Sequence, residues 1–118
     1  MTARNYDRTQ YGRGQQGSAV LNTSNSTTQT LITAPATGLY ADIFALIFYN
    51  GTASNASVQL SDGTKTYTFG AGANCQSVGW GLPVNSPIMA SNPNTAWTCN
   101  TNSATAIDIQ AFYVLNTQ

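Results

Sequence analysis

Apolar and polar residues alternate at every second position, Gly, Pro and Asn turn signals recur at short intervals, and no 3.6-residue stripe is present. Together these predict an all-β chain, an antiparallel β-sandwich of jelly-roll type with an extended N-terminal arm. The 118 residues fit one domain, divided into an arm at 1–17 and a sandwich at 18–118.

Charge defines the arm. Arg4, Arg8 and Arg13 are all the arginines of the chain, and with Asp7 they give residues 1–17 a net charge of +2. Lys65 against Asp42, Asp62 and Asp108 leaves the remainder at −2, so the whole is neutral. Tyr6, Tyr11 and a Gly/Gln tract (Gly12, Gly14, Gln15, Gln16, Gly17) complete the arm, which has no aliphatic side chain larger than alanine besides Met1. Such a segment buries too little apolar surface to offset the entropy of ordering itself. It is expected to order only against another surface.

The first strand is expected at Thr28–Thr33, followed by a turn through Pro35 and Gly38, where Pro sets one φ and Gly is free to take a positive one. Leu39–Tyr49 is the strongest strand. One face reads Leu39, Ala41, Ile43, Ala45, Ile47, Tyr49 and the other Tyr40, Asp42, Phe44, Leu46, Phe48. Both faces are largely apolar, which suits a central strand and calls for a cover over Phe44, Leu46 and Phe48. Ser57–Ser61 and Thr64–Phe69 flank Asp62-Gly63 and predict a hairpin. Val58, Leu60, Tyr67 and Phe69 should face inward, with Gln59, Lys65, Thr66 and Thr68 in water. Further strands are expected at Cys75–Val84, at an edge piece Ser86–Ala90 between prolines, at Thr95–Cys99, and at Thr105–Leu115.

Composition narrows the function. Charged residues are 7% of the chain, against about 25% in an ordinary soluble domain. A surface made polar by Thr, Ser, Asn and Gln resists close approach less than a charged one, as suits many copies side by side. Neither His nor Glu occurs. This removes the side chain that titrates near neutrality and the commonest transition-metal ligand. Ser–His and Cys–His nucleophile pairs cannot be built, and acid–base work would fall to the aspartates, tyrosines or Lys65. The chain is therefore expected not to be an enzyme and to need no cofactor or metal. The N-terminus lacks the apolar core of a secretory signal, and no apolar run is long enough to span a membrane. Synthesis in the cytoplasm is the default expectation. There, Cys75 and Cys99 favour free thiols, with pairing left open.

From Thr28 to Leu115 the order of signals resembles a small β-sandwich found among tailed-bacteriophage virion proteins. The likeness rests on Thr30–Thr33 leading to Gly38-Leu39-Tyr40, the aliphatic strand ending in Tyr49-Asn50, and Val58-Gln59-Leu60-Ser61-Asp62-Gly63. It continues through the glycine loop near Gly70, Leu82-Pro83-Val84, Ala96-Trp97 and the terminal Ile109–Val114 strand. The resemblance implies a head decoration, or cement, subunit. Such a protein would sit on the capsid as a homotrimer, bind the major capsid protein and lock neighbouring capsomers. Related modules in tails and fibres leave the place on the virion open.

On this reading Arg4, Arg8 and Arg13 pair with capsid carboxylates while Tyr6 and Tyr11 fill small apolar pockets. A leader without a role is the plain alternative, and nucleic-acid binding is disfavoured by the neutral chain and acidic body. Phe44, Leu46 and Phe48 are either inner core or subunit interface. Trp80 and Trp97 serve the core or form a sugar-stacking platform. The latter belongs to the rival function, a carbohydrate- or receptor-binding module of a phage tail or fibre.

Overall fold

The computed structural model describes residues 16–23, 27–81, 87–101 and 107–117. Among them run eight strands: β1 (Gln16–Thr23), β2 (Gln29–Ile32), β3 (Tyr40–Asn50), β4 (Ala56–Ser61), β5 (Thr66–Ala71), β6 (Cys75–Gly81), β7 (Trp97–Thr101) and β8 (Ile107–Asn116). They form two four-stranded antiparallel sheets, a first in the order β1-β8-β3-β6 and a second in the order β2-β7-β4-β5. Apart from the β4–β5 hairpin, each strand is followed by one in the opposite sheet. That is the jelly-roll path, and the predicted fold class stands.

β1 begins at Gln16, two residues inside the segment read as arm, and pairs with β8 from Gln16↔Val114 to Thr23↔Ile107. Its sequence, QGSAVLNT, has one β-branched residue before its last position and a glycine near its start. Propensity therefore does not announce it, and its pairing with β8 makes it a strand. Gly17 lies opposite Tyr113, whose ring crosses it so closely that a Cβ there would stand 2.6 Å from the ring carbon.

β3 lies inside the first sheet between β8 and β6, as its apolar character predicts. Its two faces are not those of simple alternation. The register passes from Ile43↔Tyr113 to Ala45↔Phe112, so Phe44 is an extra residue, a β-bulge. The inward face is thus Ala41 and Ile43 before the bulge, and Leu46, Phe48 and Asn50 after it. Ala41, Ile43, Leu46 and Phe48 are all buried. A strand that changes face halfway needs apolar residues of both parities, which explains why both looked apolar.

The core lies between the sheets. Ile43, Leu46 and Phe48 meet Val58, Leu60, Trp97, Ile107 and Ile109, all buried. Each such side chain contributes about 1.5–3 kcal/mol of transfer free energy. The Trp97 ring nitrogen donates to the Ala41 carbonyl at 2.6 Å, joining the sheets through the core. The predicted hairpin faces hold: Val58 and Leu60 are buried, Tyr67 and Phe69 half-buried, and Gln59, Lys65, Thr66 and Thr68 exposed.

The turn is longer than Asp-Gly alone suggests. Ser61 pairs with Thr66, leaving a four-residue loop, Asp62–Lys65, in which only Gly63 has positive φ (91°). Asp62 uses its side chain instead, with Oδ1 accepting the N–H groups of Thr64 (2.9 Å) and Lys65 (2.7 Å). The edge piece also survives in reduced form, as a two-way bridge between Ile88 and Ile43.

Buried polar groups tie the sheets at both ends. Asp42 and Asp62, from opposite sheets, grip consecutive amides of one strap. Ala90 N–H donates to Asp42 Oδ1 (2.8 Å) and Ser91 N–H to Asp62 Oδ2 (2.7 Å), while Asn116 Nδ2 donates to Asp42 Oδ2 (2.7 Å). At the other end Asn50 Nδ2 donates to the carbonyls of Ser54 and Ala71, each at 2.9 Å, and Oδ1 accepts the Thr52 N–H and hydroxyl. Every hydrogen-bonding position of the Asn50 side chain is thereby filled.

Candidate interaction faces

Each sheet turns one face outward, and the two outer faces differ in chemistry. On the first sheet, one end of the outer face is closed, with Tyr40, Asp42, Val114 and Asn116 buried beside the strap. The other end is open and carries exposed apolar side chains. Val20 is 64% exposed and Tyr49 43% exposed. With Ile47, Asp108, Ile109 and Gln110 they line a depression of about 180 Å³. Phe44 and Phe112, half-buried, make a tilted ring contact nearby, with centroids 6.4 Å apart. Val20 on β1 and Tyr49 on β3 stand on either side of Gln110 and Asp108 of β8, so exposed apolar side chains flank a polar centre.

The outer face of the second sheet is wholly uncharged and polar. Cross-strand register sets Thr30, Thr98, Ser61 and Thr66 in one row across all four strands. A second row holds Asn100, Gln59 and Thr68, with Thr28 joined to it by a 3.3 Å bond from Asn100 Nδ2. Between the rows lies a shallow groove of about 260 Å³, lined by Thr28, Gln59, Ser61, Thr66, Thr98, Cys99 and Asn100.

At the rim where β5 and β6 form the sheet edges, Trp80 is 53% exposed and meets Phe69 edge-on at 5.8 Å. Phe69 in turn contacts Phe48 at 5.3 Å, so aromatic contact runs from core to surface. Trp97, by contrast, is fully buried and its N–H is bonded. Of the two tryptophans considered for sugar stacking, only Trp80 is accessible.

The residues expected to meet partners separate in the same way. Arg4, Tyr6, Arg8, Tyr11 and Arg13 lie outside the described residues. Leu46 and Phe48 are each 1% exposed and belong to the subunit's own core, because the Phe44 bulge turns them inward. Of the two readings, inner core or subunit interface, Leu46 and Phe48 take the first, and Phe44 alone of the three is on the outer side. The apolar residues at the open end of that face, Val20 and Tyr49 exposed and Ile47 half-buried, carry no site role in the sequence reading. Val20 belongs to the strand the sequence did not reveal.

Asp42 and Asp62 are held by backbone amides, and Asp108 stands exposed on the first sheet. Among the described residues no group of three His, Cys, Asp or Glu is placed to hold a metal ion. Burial pushes the Asp62 carboxyl up, but hydrogen bonds from Lys65, Ser91 and Thr64 outweigh it and hold the carboxyl below its ordinary range. Cys99 is a free buried thiol, and burial raises its pKa to about 11.

No protein-family model matches the chain, and no curated protein does. Among solved structures, the nucleoplasmin-like N-terminal domain of Drosophila FKBP39 is similar over 85% of this chain and 90% of that one, at 11% identity and TM-score 0.47. The virus-like particle of the Macrobrachium rosenbergii extra small virus is similar over 87% of this chain and 79% of that one, at 12% identity and TM-score 0.42. The 3,4-ketoisomerase QdtA of Thermoanaerobacterium thermosaccharolyticum is 3% identical with TM-score 0.38; 81% of this chain is covered, but only 56% of that one. At these values the likeness concerns the outline of a β-sandwich alone.

Proposed function

We propose that the chain is a structural virion protein, a capsid decoration subunit that stabilises a shell by bridging neighbouring capsomers. The observation that carries this reading is the open end of the first sheet. There the exposed Val20 and Tyr49 and the half-buried Ile47 line one depression with Asp108 and Gln110, a mixed apolar and polar surface of the kind a partner covers. In this reading copies associate through that face as a homotrimer, and the basic segment with Arg4, Arg8 and Arg13 meets carboxylates of the major capsid protein.

Exposed ion pairs contribute only about 0–1 kcal/mol each, so attachment depends on several contacts repeated over the copies of an oligomer. The action is mechanical. Copies that bind only the assembled shell stabilise it by mass action, and no catalytic step is involved.

Two measurements test it. Light scattering should find an oligomer that Val20→Asp and Tyr49→Ser reduce to monomer without lowering the thermal midpoint. A monomeric parent protein would refute the contact face. Deleting residues 1–15, which leaves β1 intact, should abolish co-sedimentation with undecorated capsids. Undiminished binding would remove the basic segment from the mechanism.

A further inference from the structure

The groove on the second sheet is chemically unlike the face just assigned to subunit contact, and it lies on the opposite side of the sandwich. Its lining offers hydroxyls from Thr28, Ser61, Thr66 and Thr98, and carboxamides from Gln59 and Asn100, with no charged residue. An anionic or cationic ligand would lose water there without gaining a counter-charge. An apolar ligand or a protein hot spot would find no aromatic or aliphatic anchor in it. What matches is a neutral chain dense in hydroxyl groups, each able to donate and accept. Carboxamides suit such a partner because one side chain presents both an acceptor and two donors.

A second observation points the same way. Thr68 and Phe69 are consecutive on β5 and face opposite sides of the second sheet, and Phe69 supports the half-exposed Trp80 just around that edge. A polymer lying along the Gln59–Thr68 row and turning over the β5 edge would reach an indole face, an amphipathic surface suited to one apolar side of a ligand whose other side is wet.

We propose that this groove, continued over the β5 edge to Trp80, is a binding site for a neutral glycan chain. It is independent of the apolar face of the first sheet, so either assignment can fail alone. Affinity is modest and cumulative, built from hydrogen bonds exchanged with water and one stacking contact. Repeated copies on one particle would raise it.

The test is an array of neutral and anionic oligosaccharides probed with the full-length protein, followed by titration of the best ligand. The expected result is binding to neutral chains over sulfated or sialylated ones, weakened about tenfold by Gln59→Ala and by Trp80→Ala. Gln59 is exposed and bound to no core group, so an unchanged thermal midpoint separates loss of binding from loss of fold. Val20→Asp should bind glycan as the parent does. Absence of binding to any neutral glycan, a preference for anionic ones, or full affinity in Gln59→Ala would overturn the assignment.

Discussion

Replacing Asp62 by Asn tests how the two sheets are joined. The carboxylate accepts three amides: Thr64 and Lys65 within its own turn, and Ser91 of the strap. An asparagine keeps one oxygen for the turn but turns its NH₂ toward the Ser91 N–H, so that donor meets donor. One charge-assisted bond of about 1.5–3 kcal/mol is lost, and the other two fall to about 1 kcal/mol each. Water reaches part of the turn, so the expected net destabilisation is about 2–4 kcal/mol. In a domain of this size that lowers Tm at neutral pH by roughly 10–25 °C.

The same geometry sets the pH dependence. A carboxyl whose pKa is depressed on folding stabilises the native state fully above its unfolded pKa, and loses that contribution as pH falls through the folded value. The gap in Tm between parent and Asp62→Asn should be constant above about pH 5 and should close as the pH drops below 3.8. Thermal melts followed by circular dichroism from neutral pH to about pH 2.5 measure it. A gap that stayed undiminished at the acid end, or no gap at neutral pH, would refute the carboxylate–strap account.

Other expectations rest on separate contacts. Trp97→Phe removes the donor bonded to the Ala41 carbonyl and leaves space in the core, and should cost about 2–4 kcal/mol in urea unfolding; a loss under about 1 kcal/mol would mean that the bond is dispensable. Gly38→Ala meets no atom within 4 Å, yet its φ is 83°, so the backbone alone should cost about 1–2 kcal/mol. Gly70→Ala, equally open and without a positive φ, should be near neutral, and equal effects at the two sites would count against the strain argument. Cys99 should resist thiol reagents at mildly alkaline pH while the protein is folded, since burial both shields it and raises its pKa to about 11. It should react promptly in denaturant, and fast labelling of the folded protein would contradict its burial.

Legibility varied along the chain for identifiable reasons. The β4–β5 hairpin was readable because Asp62-Gly63 interrupts a clean alternation whose inward members, Val58 and Leu60, are simply apolar. β3 was recognised as a strand and as central, but the bulge at Phe44 was not. A one-residue insertion leaves no trace in a segment whose two parities are both apolar, so the sequence alone does not divide Leu46 and Phe48 between core and interface. β1 was missed because nothing local favours it: Gly17 and Ser18 weaken it, and its partner β8 is some ninety residues away in sequence. With β1 went Val20, and with Val20 went the strongest marker of the apolar face.

The two tryptophans show the same divide. Both sit in alternating segments, and no local rule separates them. Trp97 is buried because β7 lies inside its sheet, while Trp80 is half-exposed because β6 is an edge strand. By itself the amino-acid sequence determined the all-β class, most strands, the turn chemistry and the neutral surface, since each depends on period, propensity or composition within a few residues. Strand order, the bulge, and which apolar side chains are left for a partner were decided only by the packed molecule, because those depend on which distant strands pair and which edges stay open.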